Sequence, residues 1–383
     1  MAAFAVRKDQ CVSWQYLTVG AVSPERGLNG WSRQRLPLFM ARYAIFHALK
    51  ALKVNSGDRI LVPSYICRAA VEPMLAHGAA VDFYRVDRQC RVDVADLEAR
   101  ITPATRAVLA VHYFGFPSDL EPLQRLCMAR GLYLIEDCAH VLEGRWAGRP
   151  LGSFGDVSLF SWRKFLPVYD GADLVVNREG VKYTIPRERE QAMFTLKVAK
   201  NLIEDALGWG SGWLATAIGR AVRSWQANTA VGIGSAVVTM STTESFDLAL
   251  VQRTMSRVSS WVKAHSDVPS IVRARRQRYK ELHDRLACIS GVRPFYAALP
   301  DGACPWIFPV LFDGMANAHL SLRQLGVPAV TWGGVRPQEL QRELFPDSEF
   351  LYDHVVFLPI HQSLTEADLD AVVRAVAHVR AAG

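Results

Sequence analysis

The sequence predicts an α/β fold: a mostly parallel sheet with helices on both faces, followed by a smaller α+β unit at the C-terminal end. Two observations predict the sheet. Short apolar runs recur at Arg59–Pro63, Ala80–Tyr84, Ala107–His112, Tyr133–Asp137, Val157–Ser161 and Leu174–Val176, without strict alternation. Strands covered on both faces read this way. Helical stretches such as Phe39–Lys53 and Leu120–Arg130 are interspersed among them, and α/β order implies parallel strands. In such a sheet, functional groups collect on loops at the carboxyl ends of strands.

The elements follow in order. The Phe39–Lys53 helix stops at Asn55-Ser56-Gly57-Asp58, a cluster of turn formers. Residues 183–250 are helix-permissive and carry Trp209, Trp213 and Trp225 among glycines and alanines. The tryptophan-rich stretch 203–225 could lie on a membrane surface, but its charges are mixed rather than strongly basic, which favours a buried dimer or domain face. A basic helix over Val272–Leu286 opens the smaller unit, with strands near Trp306–Phe312 and Val355–Leu358. The last helix starts at Thr365-Glu366-Ala367-Asp368, an opening like a capping box. Its Leu369, Val372, Val373 and Val376 share one face. The expected organisation is an N-terminal arm over 1–38, a large domain over 39–262 with 183–250 as a divergent helical segment, and a small domain over 263–383.

Composition removes several function classes. With 383 residues, 50% hydrophobic and 21% charged, the chain is neither disordered nor repetitive. Its seven cysteines (Cys11, Cys67, Cys90, Cys127, Cys138, Cys288 and Cys304) form no C-x-x-C pair. That fits a reducing cytoplasm, with neither a disulfide scaffold nor a zinc site expected. Arg7, Lys8 and Asp9 come too early for a signal peptide. Leu207–Gly219 is too short for a membrane span. The net charge of +7 is local: nine Lys/Arg face three acids between Arg253 and Arg285. A solvated helix face accounts for it; a helix bordering a cleft would instead attract a diphosphate-linked sugar. No aromatic-basic motif accompanies the charge, so nucleic acid is not an expected partner. The chain lacks G-x-x-x-x-G-K-[ST], H-E-x-x-H and G-x-S-x-G, and Gly232-Ile-Gly234 has no third glycine.

Three features converge on one chemistry. The strand Tyr133–Asp137 ends in an acid and continues Cys138-Ala139-His140. Gly152-Ser153-Phe154-Gly155-Asp156 leads into Val157–Ser161. Directly after come Trp162-Arg163-Lys164 and then Asp170-Gly171-Ala172. An acid, a hydroxyl and a lysine therefore sit at strand ends of one sheet. Pyridoxal phosphate needs that set: a lysine to form an imine with its aldehyde and move protons, and a carboxylate to keep its pyridine nitrogen protonated. A hydroxyl with helix-start amides binds its phosphate. A neighbouring cation such as Arg163 and a dry pocket lower the lysine pKa.

These motifs resemble those of the DegT/DnrJ/StrS-type sugar aminotransferases, which depend on pyridoxal phosphate and have the type I aminotransferase fold. The family pattern runs E-D-x-A-[QH], G-S-x-G-D, F-S-F-x-x-x-K and G-E-G-G. This chain offers Glu136-Asp137-Cys138-Ala139-His140, Gly152 to Asp156, Phe160-Ser161-Trp162-Arg163-Lys164 and Asp170-Gly171-Ala172. Ile60 to Tyr65, Val111-His112-Tyr113-Phe114-Gly115 and Leu358 to Thr365 match further, all in family order.

The resemblance implies that Lys164 forms the imine, Asp137 pairs with the pyridinium nitrogen and His140 touches the ring hydroxyl. Ser161 and the amides near Arg42 and Tyr43 would bind phosphate, and Cys67 would lie where many members stack an aromatic on the ring. It implies a homodimer that takes an amino acid as donor and a keto-sugar, nucleotide-linked, as acceptor. Alternatives are a dehydratase or other amino-acid chemistry on the same cofactor, or a non-catalytic assembly or sensor protein. The dehydratase branch replaces the lysine by histidine, so Lys164 favours transamination. Besides Cys67, the chain departs from the pattern in three places. Two residues are missing between Ser161 and Lys164, Arg42-Tyr43 replaces a small pair, and the family's Asn-x-Arg segment has no counterpart in 183–250.

Overall fold

The computed structural model describes residues 34–185 and 245–382, together with Val6, Tyr16, Leu17 and Val198. The tryptophan-rich segment, most of the N-terminal arm and the Gly232-Ile-Gly234 stretch lie outside the described residues.

The central sheet has seven strands: β1 (Gln34–Leu38), β2 (Arg59–Pro63), β3 (Ala80–Tyr84), β4 (Thr105–Val111), β5 (Tyr133–Cys138), β8 (Val157–Ser161) and β9 (Ala172–Val176). Their order is β1-β9-β8-β5-β4-β2-β3. The five from β3 to β8 run parallel, while β9 lies antiparallel to both β8 and β1. Residues 34–38, grouped with the arm in the sequence reading, close this sheet at one edge; Pro37 is compatible there because an edge strand leaves some N–H groups unused. Strands β4, β5, β8 and β9 are almost wholly buried, which is why their sequences show apolar runs rather than alternation.

Helices α1 (Ala41–Ala51), α2 (Arg68–His77), α3 (Val94–Ala99) and α4 (Glu121–Arg130) connect the parallel strands. A two-stranded ribbon, β6 (Arg145–Trp146) with β7 (Arg149–Pro150), precedes β8. Helices α5 (Arg257–His265) and α6 (Val268–Leu286) then lead to an antiparallel sheet of β10 (Val292–Pro294), β11 (Phe308–Phe312) and β12 (Val356–Leu358). Helices α7 (Ala318–Gln324), α8 (Pro346–His354) and α9 (Glu366–Ala382) complete the described chain. No helix among the described residues is long and apolar enough to cross a membrane.

Most expected elements appear with ends shifted by one or two residues, such as Ala41–Ala51 for Phe39–Lys53 and Thr105–Val111 for Ala107–His112; two of the shifts have a clear local reason. Helix α6 begins four residues before Val272, because Asp267 accepts from the Ser270 N–H and Pro269 suits the first turn. Strand β11 begins at Phe308 rather than Trp306, because Pro305 offers no N–H and the Trp306 N–H donates at 2.8 Å to the Phe114 carbonyl instead. That diversion builds part of the site.

Candidate functional site

Strand register brings the site together. Val111 pairs with Asp137 across β4 and β5, and Cys138 pairs with Phe160 across β5 and β8. His112, Asp137 and Ser161 therefore end neighbouring parallel strands on the same edge. Lys164 closes the short helical turn Trp162–Lys164 that follows β8.

The two acids at the end of β5 do different work. Glu136 is fully buried, and both its oxygens are filled. Oε1 accepts from the Gly152 N–H and lies 2.9 Å from His112 Nε2; Oε2 accepts from the N–H groups of Phe154 at 2.8 Å and Gly155 at 2.9 Å. His112 Nδ1 accepts the Ser118 N–H at 2.9 Å, so the neutral ring carries its proton on Nε2 and donates it to Glu136. Glu136 thus gathers the Gly152–Asp156 loop beneath the sheet. An added Cβ on Gly155 would lie 2.6 Å from the Val157 oxygen and 2.9 Å from Glu136 Cβ, so only glycine fits there. The thiol of Cys138 also approaches this carboxylate, and His112, Glu136 and Cys138 offer ligand atoms within 4.8 Å of one another. Since N–H donors saturate the carboxylate, this cluster is a hydrogen-bond hub and not a metal centre.

Asp137 is the available acid. It is 7% exposed, and its carboxylate accepts one hydrogen bond, from the Ala139 N–H to Oδ1 at 2.8 Å. Burial raises its pKa, against the opposing pull of Lys164, the Ala139 N–H and His112. One oxygen of a buried carboxylate therefore has no hydrogen-bond partner among the described residues.

His140 is 3% exposed and lies parallel to Trp306, with ring centres 4.3 Å apart. Its Nδ1 accepts the Phe114 N–H at 3.2 Å, which leaves the proton on Nε2. Burial, with Lys164 adding to it, holds its pKa well below the usual histidine range, so the ring is a neutral donor. Phe114 itself sits at φ 59°, ψ 12°, a left-handed conformation that is costly for an aromatic residue. In that pose its N–H fixes His140 and its carbonyl fixes Trp306.

Lys164 is part-exposed as a residue, but its ammonium lies 4.5 Å from the centre of the Trp306 ring. Burial pushes its pKa down to about 8, helped by Arg163 and opposed by Cys67 and Asp137. A fraction of the amine is therefore neutral at physiological pH, as a nucleophilic lysine requires. The Cys67 thiol, at the start of α2, is raised by burial while the charges of Lys164, Asp137 and Arg42 all act on it. Lys164, Asp137, His140 and Cys67 thus share one locality.

The expected phosphate cradle is less direct. Ser161 is 8% exposed at the β8 end, beside Ala172 of β9. Arg42 reaches within 4.0 Å of Glu72, which Arg68 also engages at 3.0 Å. The Tyr43 N–H donates to the Met40 carbonyl at 3.0 Å, and the Tyr43 ring packs with Phe39, Phe46 and Val251 in a cluster apart from the main core. Trp306 and Phe114 went unassigned in the sequence reading; the Val111-His112-Tyr113-Phe114-Gly115 match was the signal for Phe114, and nothing local marked Trp306.

Residues 41–180 match the model of the DegT/DnrJ/EryC1/StrS aminotransferase family, the family the motifs resemble. Among curated proteins, the UDP-N-acetyl-3-dehydro-alpha-D-glucosamine 3-aminotransferase of Acidithiobacillus ferrooxidans is 39% identical over 120 residues, 31% of this chain and 32% of that one. The GDP-perosamine synthase of Escherichia coli O157:H7 is 35% identical over 137 residues, 35% of this chain and 38% of that one. The match thus spans about a third of these relatives' length. Among solved structures, Helicobacter pylori PseC, an aminotransferase involved in pseudoaminic acid biosynthesis, covers 100% of both chains with a TM-score of 0.70 and 16% identity. The aminotransferase TlmJ from Streptoalloteichus hindustanus covers 96% of this chain and 93% of its own, with a TM-score of 0.67 and 22% identity. These likenesses show that the type I aminotransferase fold extends over the chain.

Proposed function

We propose that this chain is a pyridoxal-phosphate-dependent aminotransferase that passes an amino group from an amino acid to a keto-sugar, nucleotide-linked, and works as a homodimer. The observation that carries the reading is the Lys164 amine, depressed to about 8, beside a buried carboxylate with an open oxygen and a neutral histidine donor. The names of the relatives with similar sequence support the substrate class, since they describe amino transfer onto nucleotide sugars. The cofactor, when bound, supplies an electron sink for charge developing at the donor's α-carbon.

The protein's own residues then have separate tasks. Lys164 offers the neutral amine that holds the cofactor's aldehyde carbon and afterwards carries a proton between the donor's α-carbon and that carbon. Asp137 keeps the proton on the pyridine nitrogen; a cationic partner would bring its raised pKa back down. His140 donates Nε2–H to the ring hydroxyl. Ser161, with Arg42 nearby and the α1 start, serves the phosphate. The Trp306 and His140 rings keep water from the amine.

The test is spectroscopic. Purified protein given pyridoxal phosphate should develop visible absorbance that borohydride fixes onto the Lys164 peptide, and Lys164→Ala should lose both signals. Glutamate or another amino donor should bleach the band by converting the cofactor to its amine form. A protein that stays colourless with excess cofactor would refute the proposal.

A further inference from the structure

Arg275 is a fully buried arginine, and none of its hydrogen bonds goes to a carboxylate. Buried guanidinium groups are ordinarily paired with acids, because an isolated charge is expensive to desolvate. Here the fork is filled by neutral oxygens. Nε donates to Gln362 Oε1 at 3.0 Å, Nη1 to the Trp306 carbonyl at 2.9 Å and Nη2 to the Lys164 carbonyl at 3.3 Å. Its centre stands 4.9 Å from the Phe165 ring, and Gln362 Nε2 donates to the Phe165 carbonyl at 2.8 Å. One side chain of α6 therefore holds the backbone of the lysine, the backbone of the tryptophan over that lysine, and the glutamine that grips the next residue.

We propose that Arg275 is a positioning residue for Lys164: its guanidinium ties the lysine turn to the Trp306 backbone and so sets how the amine lies beneath the indole. The inference rests on reading Lys164 as the reactive amine, and it explains how a turn two residues shorter than the family pattern is held. Without the guanidinium, the contact left between Lys164 and Trp306 among the described residues is that of the ammonium with the indole face at 4.5 Å; Phe114 and His140 hold the tryptophan but not the lysine turn. The two backbones then drift apart and water reaches the amine. Burial pushes the pKa of Arg275 down to about 10, the cost of holding a guanidinium among neutral oxygens.

The first readout uses the full chain without cofactor, so it does not depend on activity. Competitive acetylation from about pH 6 to about pH 11, read on the Lys164 peptide by mass spectrometry, gives the amine's titration midpoint. The wild-type midpoint is expected near 8. Arg275→Met should raise it by about one unit toward the ordinary lysine value, leaving about tenfold less neutral amine at neutral pH. Arg275→Lys should fall between the two. Borohydride fixation of pyridoxal phosphate at Lys164 should slow in the same order, with far-ultraviolet circular dichroism unchanged.

A purely structural arginine would lower the melting temperature and leave the midpoint in place; that result overturns the proposal. If Arg275→Met does not fold, Arg275→Lys decides: wild-type midpoint and wild-type fixation would overturn it equally. If wild-type protein takes no cofactor, the functional reading fails, while the acetylation midpoints still judge the role of Arg275.

Discussion

Glu136→Gln isolates what the buried hub is worth. Each oxygen of Glu136 faces two N–H donors, Gly152 N–H and His112 Nε2–H on one side and Phe154 N–H and Gly155 N–H on the other, with the Cys138 thiol and the Ser158 hydroxyl at longer range. Whichever way the glutamine turns, its NH₂ group meets two buried donors that lose their acceptor. At about 1–3 kcal/mol for each stranded donor, the loss is about 2–6 kcal/mol. His112 cannot rescue the variant by moving its proton to Nδ1, because that atom accepts the Ser118 N–H. Urea unfolding of the full chain at neutral pH is the assay, and with a slope near 3 kcal/mol/M the midpoint should drop by about 0.7–2 M. Asp137→Asn is the control. Asp137 has one hydrogen bond and a carboxyl pKa raised by burial, so neutralising it should cost the cofactor-free protein little or nothing. A Glu136→Gln midpoint within error of wild type, or a larger loss from Asp137→Asn, would refute this division between a structural and an available acid.

Two further outcomes follow from the same geometry. His140 has a folded pKa well below its unfolded value near 6.5, so only the unfolded chain takes a proton there as pH falls. Stability from this group is therefore intact above about pH 6.5 and lost below it by about 1.4 kcal/mol per pH unit; His140→Gln should flatten that decline, and parallel curves for variant and wild type would contradict it. Gly155→Ala should destabilise by about 1–3 kcal/mol or more, because its Cβ would press on the Val157 and Leu134 carbonyls and on Glu136 Cβ, none of them a flexible side-chain end. Thermal melting of the purified variant reads this directly, and a loss below about 0.5 kcal/mol would show that the loop can shift.

The parallel strands were legible because burial on both faces writes itself into consecutive apolar residues, and the carboxyl ends of those strands carried Asp137, Ser161 and, one turn later, Lys164. Edge strand β1 was not legible: Gln34, Arg35 and Pro37 read as arm because an edge strand need not be apolar throughout. Trp306 was not legible for a different reason. Its place depends on a hydrogen bond to Phe114, far away in the chain, and no local pattern records such a pairing. Phe114 could be quoted as part of a motif, yet its left-handed backbone is visible only in three dimensions. Arg275, by contrast, left a trace. Val272, Arg275, Tyr279, Leu282 and Leu286 fall at helical spacing on one stripe, and a charged residue on an apolar stripe marks a buried polar duty.

The same helix settles where part of the basic excess goes. A solvated face predicts arginines reaching into water, and an anion-attracting face predicts arginines lining the cleft. Helix α6 does a third thing with three arginines of a single turn. Arg275 binds the carbonyls of Lys164 and Trp306, Arg276 binds those of Pro300 at 2.8 Å and Ala303 at 2.6 Å, and Arg278 binds that of Leu364 at 3.0 Å. Arg285 adds an ion pair with Asp370 of α9 at 2.6 Å. A planar fork with five donors can satisfy more carbonyls in one plane than a lysine's three donors can. Loops near the lysine have main-chain oxygens that no strand or helix uses, and those oxygens need donors. The charge on α6 therefore answers the backbone accounting of the surrounding loops; if the acceptor is nucleotide-linked as proposed, its diphosphate is recognised by other residues.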